Sequence, residues 1–138
     1  MSEPNRQYAY FTITDSFDPE DITRRIGVQP TESWRKGDLH PKTRHERKFS
    51  RWSLRSRLND EAYLEEHVRD VLAQLEQNVS AFQQLAQEFG GHINLVAYYH
   101  EQFTGLTLDS ALIEALAKYR LGVDCDFYYL WSDGREDT

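Results

Sequence analysis

Residues 8–27, YAYFTITDSFDPEDITRRIG, place a strand pattern directly before a helix with clear start and stop signals. Residues 8–14 are rich in aromatic and β-branched side chains, which favour an extended strand. Asp18 predicts an N-cap, Pro19 suits the first helical position, and Gly27 can end the helix in a left-handed conformation. A strand that leads into a short amphipathic helix indicates a domain in which helices cover a sheet.

The rest of the chain continues this succession of strands and helices. Apolar alternation and apolar runs predict further strands at residues 51–57, 92–101 and 123–131. Apolar steps of three and four predict helical structure over residues 59–89 with a break near Asn78, and a last helix capped near Asp109. The order of a strand, an aspartate cap and a short helix ended by Gly-Val occurs twice. We therefore predict an α+β fold, a ferredoxin-like sandwich with an antiparallel sheet of about four to five strands and helices packed on one face.

The totals indicate one domain over residues 1–138. A hydrophobic fraction of 39% and an aromatic fraction of 13% are typical of a chain with a core, and no apolar run approaches the ~20 residues that cross a bilayer. The N-terminus lacks the charged-then-apolar pattern of a signal peptide, so we expect a cytoplasmic protein with no membrane partner. The acidic end, residues 132–138, is expected to fray.

No motif in the sequence indicates catalysis. Phosphate-loop, nucleophile-elbow and H-E-x-x-H patterns do not occur, and the single cysteine, Cys125, excludes an internal disulfide and a cysteine-clustered zinc site. We expect no metal, no cofactor and no catalytic residue. Cys125 alternates with Val123 and Phe127, which predicts that its thiol lies in the core, and the flanking aspartates are expected to raise its pKa.

The charge is unevenly distributed along the chain. Residues 35–57 hold nine Lys or Arg and two acids, a net charge of +7, in a protein whose overall charge is −7. Such a segment can pack against its own acidic domain, or it can be presented to an anionic partner. Both possibilities remain open at this point.

Within residues 34–57 we predict a long basic loop followed by a strand, flanked by two tryptophans. Gly37 and Asp38 resemble a turn, in which the carboxylate binds backbone amides or pairs with an arginine. The candidate binding residues are Trp34, Arg35, Lys36, Asp38, Lys42, Arg44, Arg47, Lys48 and Trp52. Our leading hypothesis is a non-enzymatic module that uses this segment to bind a protein partner, in a regulatory or immunity-type role. Nucleic-acid binding through the basic loop is an alternative that the overall acidity disfavours.

A second alternative is a small-ligand binder or an enzyme with a pocket on the sheet face. Its candidate residues are Tyr98, Asp124, Asp126 and Tyr128, which combine aromatic rings with paired carboxylates. Cross-strand packing and a solvated sheet face are the ordinary explanations for the same residues. A homodimer is also possible, because a small sheet can leave a face or an edge to cover.

Several of these stretches resemble the DUF4279 family, a domain of unknown function. They are DPEDITRRIGVQPTESWRKGD from residue 18, RWSL from residue 51, LEEH from residue 64 and LGVDCDFYYL from residue 121. The resemblance implies a small α+β domain found mostly in bacteria, without an assigned activity. It also implies that a turn at Trp34, Lys36, Gly37 and Asp38 and a strand at Trp52, Ser53 and Leu54 are shared with the family. The basic insert HPKTRHERKFS is not implied by it.

Overall fold

The computed structural model describes residues 3–102 and 105–130. Its strands are β1 (Arg6–Asp15), β2 (Glu32–Trp34), β3 (Ser50–Arg55), β4 (His92–Tyr99) and β5 (Gly122–Tyr129). Its α-helices are α1 (Pro19–Ile26), α2 (Leu64–Leu75), α3 (Val79–Phe89) and α4 (Ser110–Lys118). The predicted frayed tail, residues 132–138, lies outside the described residues.

The strands form one five-stranded sheet in the order β2-β3-β1-β4-β5. The pairs β2–β3, β3–β1 and β1–β4 are antiparallel, whereas β4 and β5 are parallel. The α+β class is confirmed, but the prediction of a wholly antiparallel sheet was wrong, and a ferredoxin-like topology is not confirmed. The reason lies in α4, which connects β4 to β5. This helical crossover returns the chain to the end of the sheet where β4 begins, so β5 runs parallel to β4.

The helix ends follow the signals in the sequence. The Asp18 carboxylate accepts a hydrogen bond from the Glu20 N–H at the start of α1, and Gly27 ends this helix with a φ of 74°. The Asp109 carboxylate accepts one from the Leu112 N–H at the start of α4. Between α2 and α3 a short 3-10 turn, Glu76–Asn78, forms the predicted break.

Alternation along the strands divides the sheet into a helix-covered face and an open face. Phe11, Trp52 and Leu95 point toward the helices and are fully buried. They form one core with buried residues of the helices. The Trp52 ring is 0% exposed and its Nε1–H donates to the Thr23 hydroxyl at 3.0 Å. Phe82 of α3 completes an aromatic cluster with the strand residues.

The edge strand β5 is covered by the helices only in part, since Phe127 packs against the core while most of its other residues are exposed. Val123 is 38% exposed, and Cys125 is exposed as well. The prediction of a core thiol was therefore wrong, because β5 alternates correctly but has too little of the helix layer opposite it. Loss of hydration is the main effect that raises the pKa of the Cys125 thiol, and the carboxylates of Asp124 and Asp126 raise it further. No helix among the described residues is long and apolar enough to span a membrane.

A histidine is buried in the core. His67 of α2 is 0% exposed, and its Nδ1 lies 2.7 Å from the Ser56 hydroxyl oxygen just after β3. Burial lowers the pKa of His67, because the imidazolium form loses hydration inside the protein, although the Asp60 carboxylate opposes this effect. The native state therefore holds His67 in its neutral form near neutral pH.

This burial predicts a loss of stability in mild acid. Because the pKa of His67 is lower in the folded than in the unfolded chain, the unfolded chain binds the extra proton first as the pH falls below about 6.5. The free energy of unfolding should be unaffected by this group above that pH and should fall by up to about 1.4 kcal/mol per pH unit below it. Urea unfolding between pH 7 and pH 5 should show the slope in the wild type and a shallower one in His67→Gln. The exposed His45→Gln is the matched control, and an unchanged slope in His67→Gln would contradict the assignment.

Candidate functional site

The open face of the sheet carries aromatic rings with arginine side chains stacked on them. The guanidinium carbons lie 3.7, 4.7 and 3.8 Å from the ring centroids in three pairs: Arg47 on Trp34, Arg51 on Tyr10 and Arg55 on Tyr8. A fourth pair, Arg6 on Tyr98, lies 4.7 Å apart. A guanidinium that stacks through its flat face keeps its N–H groups, which lie in its plane, for other partners.

The predicted loop between β2 and β3 is an ordered hairpin extension. The Gly37 N–H donates to the Arg47 carbonyl at 2.8 Å and the Arg47 N–H donates to the Asp38 carbonyl at 2.7 Å. Farther out, the His40 N–H donates to the His45 carbonyl at 2.8 Å, and Arg44 turns the chain with a φ of 64°. We call residues 36–48 the cationic arm. Its polar composition is typical of a loop, but backbone pairing does not require apolar side chains.

The base of the cationic arm is fastened to the domain. The Asp38 carboxylate accepts a hydrogen bond from the Arg35 backbone N–H at 2.9 Å, as the turn prediction allowed. The Arg35 guanidinium pairs instead with Asp18, at 2.7 Å, and so ties the arm to the start of α1. The Glu20 N–H and then the Arg35 guanidinium lower the pKa of Asp18. Lys36 adds a backbone N–H bond to the Ser50 hydroxyl at 2.9 Å.

The nine cations of residues 35–57 fall into two groups. Three of them form ion pairs with the body of the domain: Arg35 with Asp18, Arg55 with Asp60 and Arg57 with Asp70. The other six form no ion pair within the described part of the chain: Lys36, Lys42, Arg44, Arg47, Lys48 and Arg51. The segment is therefore anchored by part of its charge, and the larger part has no carboxylate partner in the described part of the chain.

The two tryptophans that flank the segment lie on opposite faces of the sheet. Trp52 belongs to the core, whereas Trp34 lies at the edge of the open face and its Nε1–H donates to the Phe49 carbonyl at 3.0 Å. Arg47 covers one part of the Trp34 ring, and Arg51 lies 5.1 Å from its centroid. Trp52 is therefore enclosed in the core, whereas Trp34 is partly accessible at the open face together with its arginines.

Beside the arm, the open face has a cavity of about 330 Å³. Its floor is formed by two tyrosines of β1 and its sides by residues of β2 and β3: Tyr8, Tyr10, Glu32, Arg51, Ser53 and Arg55. Burial and the neighbouring Tyr98 raise the pKa of Tyr8, so its phenol stays neutral. The volume is at the lower end of the range for small-molecule sites.

The residues of the predicted pocket, Tyr98, Asp124, Asp126 and Tyr128, also share the open face, at its β4–β5 side. The rings of Tyr98 and Tyr128 stack with their centroids 5.0 Å apart. Asp124, Asp126 and Tyr128 are exposed. No group of three or more His, Cys, Asp or Glu in the described ranges is arranged to hold a metal ion. The ligand-binding role of these residues stays a prediction.

Sequence reasoning missed the residues that line the cavity at the other side of the open face. In the sequence, Tyr8 and Tyr10 indicate only a strand, and Glu32 and Arg55 are not among the candidate binding residues. The signal was present in the alternation of β1 and β3, because residues two apart in a strand share a face. What the sequence does not give is the pairing of β3 with both β1 and β2, which brings Glu32 opposite Ser53.

The family model of DUF4279, a domain of unknown function, matches residues 5–130, which is nearly the whole chain. The chain belongs to the DUF4279 family. The resemblance noted in the sequence is thereby confirmed, and the membership brings no assigned activity with it. No curated protein and no solved structure shows a significant match to the chain.

The two tryptophans of this DUF4279 domain should differ sharply in their contribution to stability. Trp52→Ala should lower the free energy of unfolding by about 3–5 kcal/mol, because it removes a fully buried ring and leaves a cavity. Trp34→Ala should cost no more than about 1 kcal/mol, since only a partly exposed ring and its arginine contacts are lost. Urea unfolding of both variants measures the difference, and equal losses would contradict the separation of the two rings.

Proposed function

We propose that this protein is a non-catalytic binding module and that its cationic arm recognises an acidic surface on a partner protein. The observation that carries the proposal is the division of the basic segment, in which six of nine cations have no carboxylate partner within the described part of the chain. A basic segment whose only task was to neutralise its own acidic domain would direct most of its charges inward. Here one ion pair, Arg35–Asp18, lies at the base of the arm, the other two lie at the far end of β3 and beyond it, and no cation of the arm itself is paired with a carboxylate in the described part of the chain.

The surroundings of these cations favour a protein over a nucleic acid. Leu39 in the arm is 48% exposed and Phe49, directly after it, is 47% exposed, so apolar as well as charged surface is accessible here. Apolar and arginine side chains together are typical of protein interfaces. Single-stranded nucleic acid usually needs free aromatic faces for its bases, and here Trp52 is buried while Arg47 lies on Trp34.

The ordered hairpin also lowers the cost of binding. The backbone hydrogen bonds between Asp38 and Arg47 and between His40 and His45 hold the arm in one conformation before a partner arrives. Less conformational entropy is then lost on association than for a flexible loop. A regulatory or immunity-type role is one that a small acidic domain with a preformed basic arm would suit.

Charge reversal at the tip of the arm tests the proposal. The probes are a fluorescent deca-glutamate peptide and a fluorescent deca-thymidine strand, titrated with the protein at low salt and followed by anisotropy. The wild type should bind the peptide more tightly than the DNA, and Arg44→Glu should weaken peptide binding about fivefold, because one attractive charge becomes repulsive.

The matched control is Arg120→Glu. Arg44 and Arg120 are both exposed arginines with a positive φ, 64° and 53°, and Arg120 lies at the end of α4 outside the arm. Both variants change the net charge equally, so general electrostatics would affect them alike. Equal weakening of peptide binding in the two variants would overturn the proposal of a protein-binding arm. So would a wild type that binds the DNA strand more tightly than the peptide and loses this DNA binding in Arg44→Glu.

A further inference from the structure

The cavity on the open face holds an arginine that is fixed in place but whose donors are not all used. The Nε–H of Arg51 donates to the Ser53 hydroxyl at 2.9 Å, and the guanidinium lies over Tyr10 and near Trp34. Within the described part of the chain its terminal N–H groups have no carboxylate acceptor. A guanidinium held by one bond and by stacking presents its remaining edge to a carboxylate in a defined direction.

The second arginine of the cavity, Arg55, already has a carboxylate partner. The guanidinium carbon of Arg55 lies over Tyr8, at 3.8 Å from the ring centroid, and its terminal nitrogen pairs with Asp60 at 2.9 Å. Asp60, which is not among the residues that line the cavity, therefore offsets part of the Arg55 charge. The side of the guanidinium that faces away from Tyr8 can contact another planar group.

Glu32 supplies a negative charge at the same cavity. It lies opposite Ser53 in the β2–β3 register, which places it diagonally across from both Arg51 and Arg55. Diagonal neighbours lie about 7–8 Å apart, and no ion pair joins Glu32 to any residue that the structure describes. The cavity thus has one available positive group and one available negative group, held apart by the strand spacing.

We propose that this cavity binds an aromatic α-amino acid as a zwitterion, with its carboxylate on Arg51 and its ammonium on Glu32. A ligand with both charges pairs with both groups. A ligand with only a negative charge would be repelled by Glu32, and a ligand with only a positive charge would be repelled by Arg51. The flat side chain lies against the tyrosine rings and the outer face of Arg55. This site lies beside the cationic arm, and its occupation does not require a protein partner.

Three matched compounds test the two charges one at a time. The probes are L-phenylalanine, phenethylamine, which lacks the carboxylate, and 3-phenylpropionate, which lacks the ammonium. Each is titrated into the full chain and followed by backbone amide shifts in nuclear magnetic resonance spectra. Phenylalanine should shift the signals of the cavity residues and bind at least tenfold more tightly than either analogue.

Variants then assign each charge to its residue. Arg51→Gln should weaken phenylalanine at least tenfold and leave phenethylamine binding unchanged, whereas Glu32→Gln should weaken phenylalanine and leave 3-phenylpropionate unchanged. Glu61→Gln and Arg120→Gln are the matched controls, since both residues are exposed and lie outside the cavity. Arg44→Glu should retain the wild-type affinity for phenylalanine, which separates this test from that of the arm.

Three results would overturn the proposal. The first is the absence of any phenylalanine-dependent shift at the cavity residues up to the solubility of the compound. The second is equal affinity for 3-phenylpropionate and phenylalanine, which would make the cavity a simple anion site. The third is equal loss of phenylalanine binding in the variants and in their matched controls.

Discussion

The register of β3 between β1 and β2 is the constraint on which the rest of the structure depends. It sends Trp52 to the helix-covered face and Arg51 and Arg55 to the open face. Because strand side chains alternate with a period of two, a shift by one residue would bury the arginines and expose the tryptophan. The hydrogen bond from Trp52 to Thr23 of α1 and the pairing of Ser53 with Thr12 and Glu32 fix one register. The core and the binding face are consequences of the same pairing.

Stacking on aromatic rings explains how the open face can carry several arginines close together. A carboxylate partner would hold each guanidinium in place but would also occupy its donors and cancel its charge. A ring partner holds the flat face and leaves the edge and the charge available, as Arg47 on Trp34 and Arg51 on Tyr10 illustrate. The domain uses both devices, because an ion pair holds Arg35 at the base of the arm, rings hold Arg47 and Arg51, and Arg55 has a partner of each kind.

The sequence predicts those features that depend on short-range chemistry. The caps at Asp18 and Asp109, the glycine that ends α1 and the break near Asn78 all follow from neighbouring residues, and they are confirmed. Strand positions follow from the period of two. The parallel pairing of β4 with β5 is a long-range feature, which the local sequence does not predict. The wrong prediction of a buried Cys125 has the same cause. Alternation says that Cys125 and Val123 share a face, but only the strand order shows that this face is at an edge.

The cationic arm and the cavity meet at a single ring. Arg47 of the arm and Arg51 of the cavity both lie over Trp34, so two like charges share one aromatic partner. Their mutual repulsion is reduced when an anionic group neutralises either of them. A carboxylate on Arg51 would then strengthen the hold of Trp34 on Arg47, and a partner that draws Arg47 away would relax the position of Arg51. If both proposals hold, the two ligands change each other's affinity by the same factor, because linkage between binding sites is reciprocal.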